Sequence, residues 1–496
     1  MSDGSTPGRS STARRAAIGA GWLYAFRWIE RMLDFLALAV LARLLSPDDF
    51  GLVAIAASFV AIIEGLAAFD VQKALIRSRD DRRALFDSAW TLSALRGLLA
   101  ALVMLAVAPL LGDPRIAAIL GVLALSPLLG GLQNPRFVTF ERNLDYSKLA
   151  LLTVVSKLGA VAVTLSIAIA TRSYWALVVG MLVGTCLGLV LSYALRPYRP
   201  RLELSRWRTI FGFSGWLSLT TAVTTLSMET DKLIIGRLLG VADAGRYFMT
   251  QRVGVLPTRE LIGPLQRLLF PSFAELAPDP VQLRRVVRES VNVVGSLSLP
   301  AGCGFAVVAD DVVPLVLGAQ WLDLVPLLQI LVPYLGARAT LSIALPCMLA
   351  LGYTRLLFWV STAYALIHVP TFVAGTFLYG LVGSIWSLVV AGIAYTALNV
   401  WMLRRAVDLG LGALLAQLRR PAAATLAMVG ALLALETIPA VAALGPIASL
   451  ALSVPLGGLV YAAVAGALWH LGGRPRGLER RLVQLAGEAL RARRAD

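Results

Sequence analysis

Apolar blocks of about 20 residues, long enough to cross a hydrocarbon core of about 30 Å, follow one another through nearly the whole chain with short polar turns between them. That spacing leaves room for little besides membrane spans, and a backbone surrounded by lipid satisfies its hydrogen bonds as helix. The composition agrees, since 58% hydrophobic residues and a mean hydropathy of +0.76 exceed what a water-soluble chain of 496 residues carries. The expected fold is an all-α polytopic membrane protein with about 14 transmembrane helices.

A formal charge of +16 raises the question of nucleic acid, and the placement of the basic residues answers it. They gather in alternate loops: Arg77 to Arg83, Arg142 to Lys148, Arg196 to Arg208, Arg284 to Arg288, Arg404 to Arg420 and the tail after Arg474. The intervening turns, such as Gly112-Asp113-Pro114 and Asp310-Asp311, are neutral or acidic. Positive charge in every second loop sets membrane orientation, so these loops and both termini are expected on the cytoplasmic side, and no nucleic acid partner is expected. The first 15 or so residues lack a small-residue cleavage pattern, so 1–17 reads as a cytoplasmic tail and 474–496 as a second, basic one.

The turn Arg43-Leu44-Leu45-Ser46-Pro47-Asp48-Asp49-Phe50-Gly51 returns as Arg237-Leu238-Leu239-Gly240-Val241-Ala242-Asp243-Ala244-Gly245. Trp175-Ala176-Leu177-Val178-Val179 likewise returns as Trp386-Ser387-Leu388-Val389-Val390. Six spans separate each pair, and because six is even the halves share one orientation, a parallel repeat about an axis along the membrane normal. The expected organisation is a six-helix lobe at 18–205, a second at 206–405 facing it across a central cavity, and two additional transmembrane helices at 406–473.

Charges inside the spans are the candidate functional residues, because an ionisable group at mid-membrane needs a partner or a wet cavity. Arg27, Glu30, Arg31 and Asp34 fall within an arc of roughly 100° on the first span. Internal salt-bridging and a cavity wall both explain them. On the seventh span Ser218, Thr221, Thr225, Glu229 and Lys232 form one stripe, and on the eighth Arg252 and Arg259, seven apart, share a face with no acid three or four residues from Arg252. Glu64, Arg96, Lys157 and Arg338 stand alone on apolar spans and read as helix–helix partners or snorkelling side chains, with Glu64 kept as a cavity candidate. His368 reads as core packing, and Pro257, Pro264, Pro300, Pro333 and Pro346 as kinks.

No catalytic chemistry is encoded in a recognisable form. The chain has no P-loop, HExxH or GxSxG pattern, and Cys186, Cys303 and Cys347 have neither CxxC spacing nor a nearby histidine cluster. Neither a cofactor nor a metal is expected, and the chain does not read as an enzyme.

The segments Leu41 to Gly51, Arg142-Asn143-Leu144-Asp145-Tyr146, Tyr174 to Val178, Asp231 to Gly240, Phe270-Pro271, and Gly318-Ala319-Gln320-Trp321 ahead of Pro326-Leu327-Leu328 resemble bacterial polysaccharide transporters. These are the Wzx-like and colanic-acid-exporter-like flippases of the multidrug/oligosaccharidyl-lipid/polysaccharide superfamily. The resemblance implies alternating access that moves a lipid-linked oligosaccharide, carried on undecaprenyl diphosphate, from the cytoplasmic to the outer leaflet of the bacterial inner membrane. It also implies diphosphate-binding arginines from the first and eighth spans, for which Arg27, Arg31, Arg252 and Arg259 are the matching positions. Membrane lipids and other polysaccharide-assembly proteins are the remaining expected partners.

Three rival readings stay open at this level. A cation-coupled drug or metabolite antiporter of the same fold would use Glu30, Asp34, Glu64 or Glu229 as its coupling carboxylate. A membrane polysaccharide polymerase or ligase would need a sizeable outer loop, and a non-transporting scaffold would tolerate neutral substitutions of the arginines.

Overall fold

The computed structural model describes residues 28–66, 75, 82–142, 146–207, 215–442 and 445–473, and its regular elements are all helical. Ten helical stretches among them are long and apolar enough to cross a membrane. One, Thr354–Val407, is 54 residues long but leaves helical geometry at Tyr379 and Gly380, so it is two spans joined by a tight turn. Gly380, at φ 61° and ψ −144°, occupies backbone space that a side chain would obstruct. The two arms touch where Gly375 and Gly383 bring their backbones together, and Ser387 Oγ on one arm donates to Thr371 O on the other at 3.0 Å.

Three more helical stretches are too polar, or too short within the described residues, to count among the ten. They are α1 (28–44), Gly215–Leu238, and the run from Val241–Gly254 into Leu256–Leu276. All but one of the predicted site residues among the described residues sit on these helices, and their charges are what lower the apolarity.

The chain forms two compact units, Met1–Gly245 and Arg246–Asp496. In the first, α2 (Pro47–Leu66) opens on a capping box: Ser46 donates to Asp49 Oδ2 from both its hydroxyl (2.6 Å) and its backbone N–H (2.9 Å). The helix α3 (Arg83–Val107) packs on α5 (Leu125–Gly131), and α4 (Pro114–Leu123) is capped by Asp113, which accepts from Arg115 N at 2.8 Å. A helical pair follows, α6 (Tyr146–Thr171) and α7 (Trp175–Leu195). Leu98, Leu99, Leu102 and Leu105 on α3 remain 45–60% exposed, an apolar face of the kind that lipid covers.

The next helix, α8 (Gly215–Leu238), lies against α2, and α9 (Val241–Gly254) starts beside α2's first turn. There the internal repeat shows itself in space. A Cβ on Gly51 would lie 1.9 Å from Val241 O, and a Cβ on Gly245 would lie 1.9 Å from Pro47 O. Pro47 and Val241 are equivalent positions in the repeat, as are Gly51 and Gly245, so each copy offers the same groove to the same carbonyl of the other. Such reciprocal contact is the signature of a local two-fold relation.

Beyond α7 the chain does not wander. Residues 196–207 are strapped to the start of α3 through Asp87, whose side chain is almost fully buried. Its carboxylate accepts from Tyr198 Oη (2.5 Å), Arg201 N (3.0 Å) and Arg83 Nε (3.3 Å). Glu203 N donates to Thr91 Oγ1 and Arg206 N to Ser88 Oγ, while Arg136 lies between the rings of Phe86 and Tyr198 at 5.4 and 5.0 Å.

In the second unit α10 (Leu256–Leu276) continues from α9, and Pro257 opens it rather than kinking it, whereas Pro264 lies inside. The long helix α11 (Pro280–Val307) approaches α12 (Val325–Ala339) through Gly302 and Gly336, where small residues let the backbones come close. The split helix α13 (Thr354–Val407) then leads to α14 (Leu411–Glu436), packed on α11, and to α15 (Pro446–Leu471), packed on α14. Phe273, Val287, Val291, Ile343, Met348 and Leu403 form part of the core beneath them.

Candidate functional site

On α1, Glu30, Arg31 and Asp34 are half-buried, and Arg27 lies outside the described residues. Asp34 accepts a 2.5 Å ion pair from Lys157 on α6, and the same ammonium is within electrostatic reach of Glu30. The carboxylates of the first span are thus answered from another helix as well as by Arg31, and Lys157 is a helix–helix partner, as expected of it. Nothing in the sequence near Lys157 marks Asp34 as its partner, because the pairing depends on packing of distant spans. Glu64, near the end of α2, is exposed and faces the field of Arg96 on α3.

The stripe on α8 divides. Glu229 and Lys232 form a 2.5 Å pair one turn apart with both side chains about one-fifth exposed, so each neutralises the other locally. Thr225 turns to α2, where a Cβ on Gly65 would be 3.0 Å from its methyl carbon, while Thr221 is exposed. The hydroxyls are therefore not one continuous wall.

In the second unit, Arg252 on α9 and Arg259 on α10 are both exposed. Val255 between the helices keeps right-handed helical angles, with its N–H bonded to Gln251 O (3.2 Å) and its carbonyl accepting from Arg259 N (2.9 Å). Helical register therefore carries across the junction, and the arginines remain on one face. Arg252 also lies 5.8 Å from the ring centre of Phe248. Two exposed guanidiniums on one helix face within a membrane protein present forks that match phosphate oxygens.

The remaining lone charges are packing groups. Arg338 rests over the Tyr395 ring at 5.0 Å, and buried His368 stacks on Tyr364 at 5.3 Å. Among the described residues no group of His, Cys, Asp and Glu could hold a metal ion.

Comparison with known proteins gives consistent results. The family described as polysaccharide biosynthesis protein matches residues 40–326. The lipopolysaccharide biosynthesis protein WzxC of Escherichia coli (strain K12) is 23% identical over 80% of this chain and 82% of its own. The succinoglycan biosynthesis transport protein ExoT of Rhizobium meliloti (strain 1021) is 26% identical over 79% of this chain and 81% of its own. Among solved structures, the lipid II flippase MurJ in an inward closed conformation superposes with a TM-score of 0.71 at 13% identity, covering 90% of this chain and 98% of its own. An inward-facing multidrug resistance MATE family transporter follows at 0.59 and 13% identity, covering 77% and 95%. These structural likenesses are likenesses of fold.

Proposed function

Because the chain belongs to the polysaccharide biosynthesis protein family, we infer that it is a flippase that carries a lipid-linked oligosaccharide across the bacterial inner membrane for surface polysaccharide export. The observation that carries this reading is the family match together with relatives named for polysaccharide synthesis and transport over four-fifths of their length. The all-helical membrane fold supports it, as does the lack of a recognisable catalytic pattern. The lipid carrier is undecaprenyl diphosphate, and both termini lie in the cytoplasm, a placement supported by the basic loops.

The physical task is to take a sugar headgroup and its diphosphate through about 30 Å of hydrocarbon while the polyprenyl tail stays in lipid. Guanidinium groups suit it, because each can give a phosphate two parallel hydrogen bonds and so replace water that the diphosphate loses. Arg252 and Arg259 are the proposed diphosphate contacts of the second unit, and Arg31, with Arg27, those of the first span. Glu30, Asp34, Glu64, Glu229 and Lys232 set the local charge balance in this reading, and alternating access moves the bound headgroup from one leaflet to the other.

Export of surface polysaccharide by cells carrying Arg252→Ala tests the reading, with membrane levels of the variant checked. Loss of export by about tenfold or more, with lipid-linked precursor accumulating inside, is expected if a phosphate contact worth about 1.5–3 kcal/mol disappears. Unchanged export at normal protein levels would remove Arg252 from the site, and cation-driven efflux of dyes by reconstituted protein without any precursor transport would replace the flippase with an antiporter.

A further inference from the structure

The second unit holds a basic recess that the transport reading does not use. Between the first turns of α11 and the early turns of α14 lies a cavity of about 630 Å³ lined by Arg284, Arg285, Arg288, Arg419 and Arg420, with Glu289 among them. Arg284 is paired with Asp408 at 2.8 Å and Arg285 with Glu289 at 3.1 Å. Arg288 and Arg419 are exposed, and neither makes a hydrogen bond or ion pair among the described residues. The recess therefore keeps an excess of positive charge.

Its shape is fixed from within the protein. Asn292 Nδ2 donates to Gln417 O at 2.9 Å, and Leu418 packs against Gly295 so closely that a Cβ there would lie 2.4 Å from its Cδ2. These contacts join the two helices one to three turns along α11 from Arg284, Arg285 and Arg288 and within three residues of Arg419 and Arg420 on α14, so the recess is a wedge closed by packing at one end. Apolar side chains adjoin it. Val281, which lines the recess, is 79% exposed, and Leu411 and Leu415, which precede Arg419 at four-residue steps on the same face of α14, are 54% and 56% exposed. Exposed aliphatic side chains beside unpaired guanidiniums match a ligand with an anionic head and hydrocarbon chains. A free anion has no use for the leucines, and an acidic protein surface has no need of a cavity at the edge of a membrane span.

We propose that this wedge between α11 and α14 binds the phosphodiester headgroup of an anionic phospholipid of the surrounding bilayer. The guanidiniums of Arg288 and Arg419 take the phosphate oxygens, and the acyl chains run along the exposed leucines of α14. The arginines sit in the early turns of two helices, within the basic clusters Arg284 to Arg288 and Arg404 to Arg420, a pattern that marks the cytoplasmic side, where anionic lipid headgroups are met by basic pockets between spans. The site requires no translocation and stands whether or not the chain is a flippase.

The test is binding of phosphatidylglycerol to the full-length protein in mixed micelles, measured by native mass spectrometry against phosphatidylcholine. Each arginine near a lipid surface is worth about a factor of five, so Arg288→Gln with Arg419→Gln should weaken phosphatidylglycerol binding by about thirtyfold. Arg201→Gln, in another basic loop, should leave binding within twofold. Retention of Arg288→Lys with Arg419→Lys at intermediate affinity is also expected, since charge persists without the fork. Wild-type binding by the double glutamine variant overturns the site, as does equal loss in Arg201→Gln, which would reduce the effect to general surface attraction. Displacement of phosphatidylglycerol by millimolar inorganic phosphate would assign the recess to a free anion, and preferential binding of undecaprenyl phosphate would assign it to the transported carrier. Should the glutamine variant fail to fold, the wild-type salt dependence decides, and binding indifferent to salt overturns the proposal.

Discussion

Asp87 shows how much one carboxylate can organise. Its oxygens gather a phenol, a backbone N–H and a guanidinium at one end of α3, and they hold the segment after α7 in place. Replacing it by alanine takes a buried acceptor from three donors, of which the Arg83 guanidinium is half-exposed and keeps its bond to Arg199 O, so the loss should be about 1–3 kcal/mol. Thermal unfolding of purified protein should show this as a clear drop in the transition, with Asp87→Asn losing less because one acceptor oxygen survives; an unchanged transition for Asp87→Ala would mean that the strap carries no stability. The strap also carries a pH dependence. Burial pushes the Tyr198 phenol above the usual tyrosine range, and its hydrogen bond to the Asp87 carboxylate adds to the shift. A folded pKa above the unfolded value of 10.0 means that the strap's contribution is whole below that pH and declines as pH rises beyond it. Tyr198→Phe should flatten this alkaline decline, and an alkaline stability profile identical to wild type would place its origin elsewhere. The sequence offers no hint of this arrangement, since Asp87 there is one more acid at the start of an apolar block. The charges on the first, seventh and eighth spans were legible because they interrupt hydrophobic runs, but Lys157 could be assigned to Asp34 only by packing.

At the scale of elements, the internal repeat gives the sharpest structural statement. The turn after α1 and the turn after α8 share a sequence pattern, and in space they meet through Gly51 and Gly245, each lying under the other copy's carbonyl. A methyl group at either position has nowhere to go without moving helix backbone, so Gly51→Ala and Gly245→Ala should each destabilise by about 1–3 kcal/mol. Because both clashes push the same two helix ends apart, the double variant should lose less than the sum of the singles. Additive losses in thermal unfolding would show that the two contacts yield independently. The short motif was visible in the sequence, whereas the glycine contact was not, because a glycine in a pattern rich in Gly, Ala and Leu signals nothing until its neighbour is known. Helix existence was legible from block length, whereas the break at Tyr379-Gly380 involves only two residues in helical geometry that otherwise runs on.

At the scale of the whole molecule, the fold class and the proposed transport role rest on features a sequence displays openly: apolar block length, basic residues in alternate clusters, and a set of short motifs shared with a family. The distribution of stability does not. The most polar helices are the ones that carry the proposed substrate contacts, and the first of them takes a counter-ion from another helix. The Asp34–Lys157 pair extends this dependence into time. When α1 leaves the ribosome, the helix that will bring Lys157 has not been made, and roughly 120 residues of further synthesis, on the order of ten seconds, separate the two. Throughout that interval a helix bearing several charges waits beside the insertion machinery with one of its counter-ions still unwritten. Chains arrested before Lys157 should therefore crosslink from α1 to the translocon, and chains arrested well beyond it should not; release of α1 into lipid at the shorter length would show that its own arginines suffice to let it go.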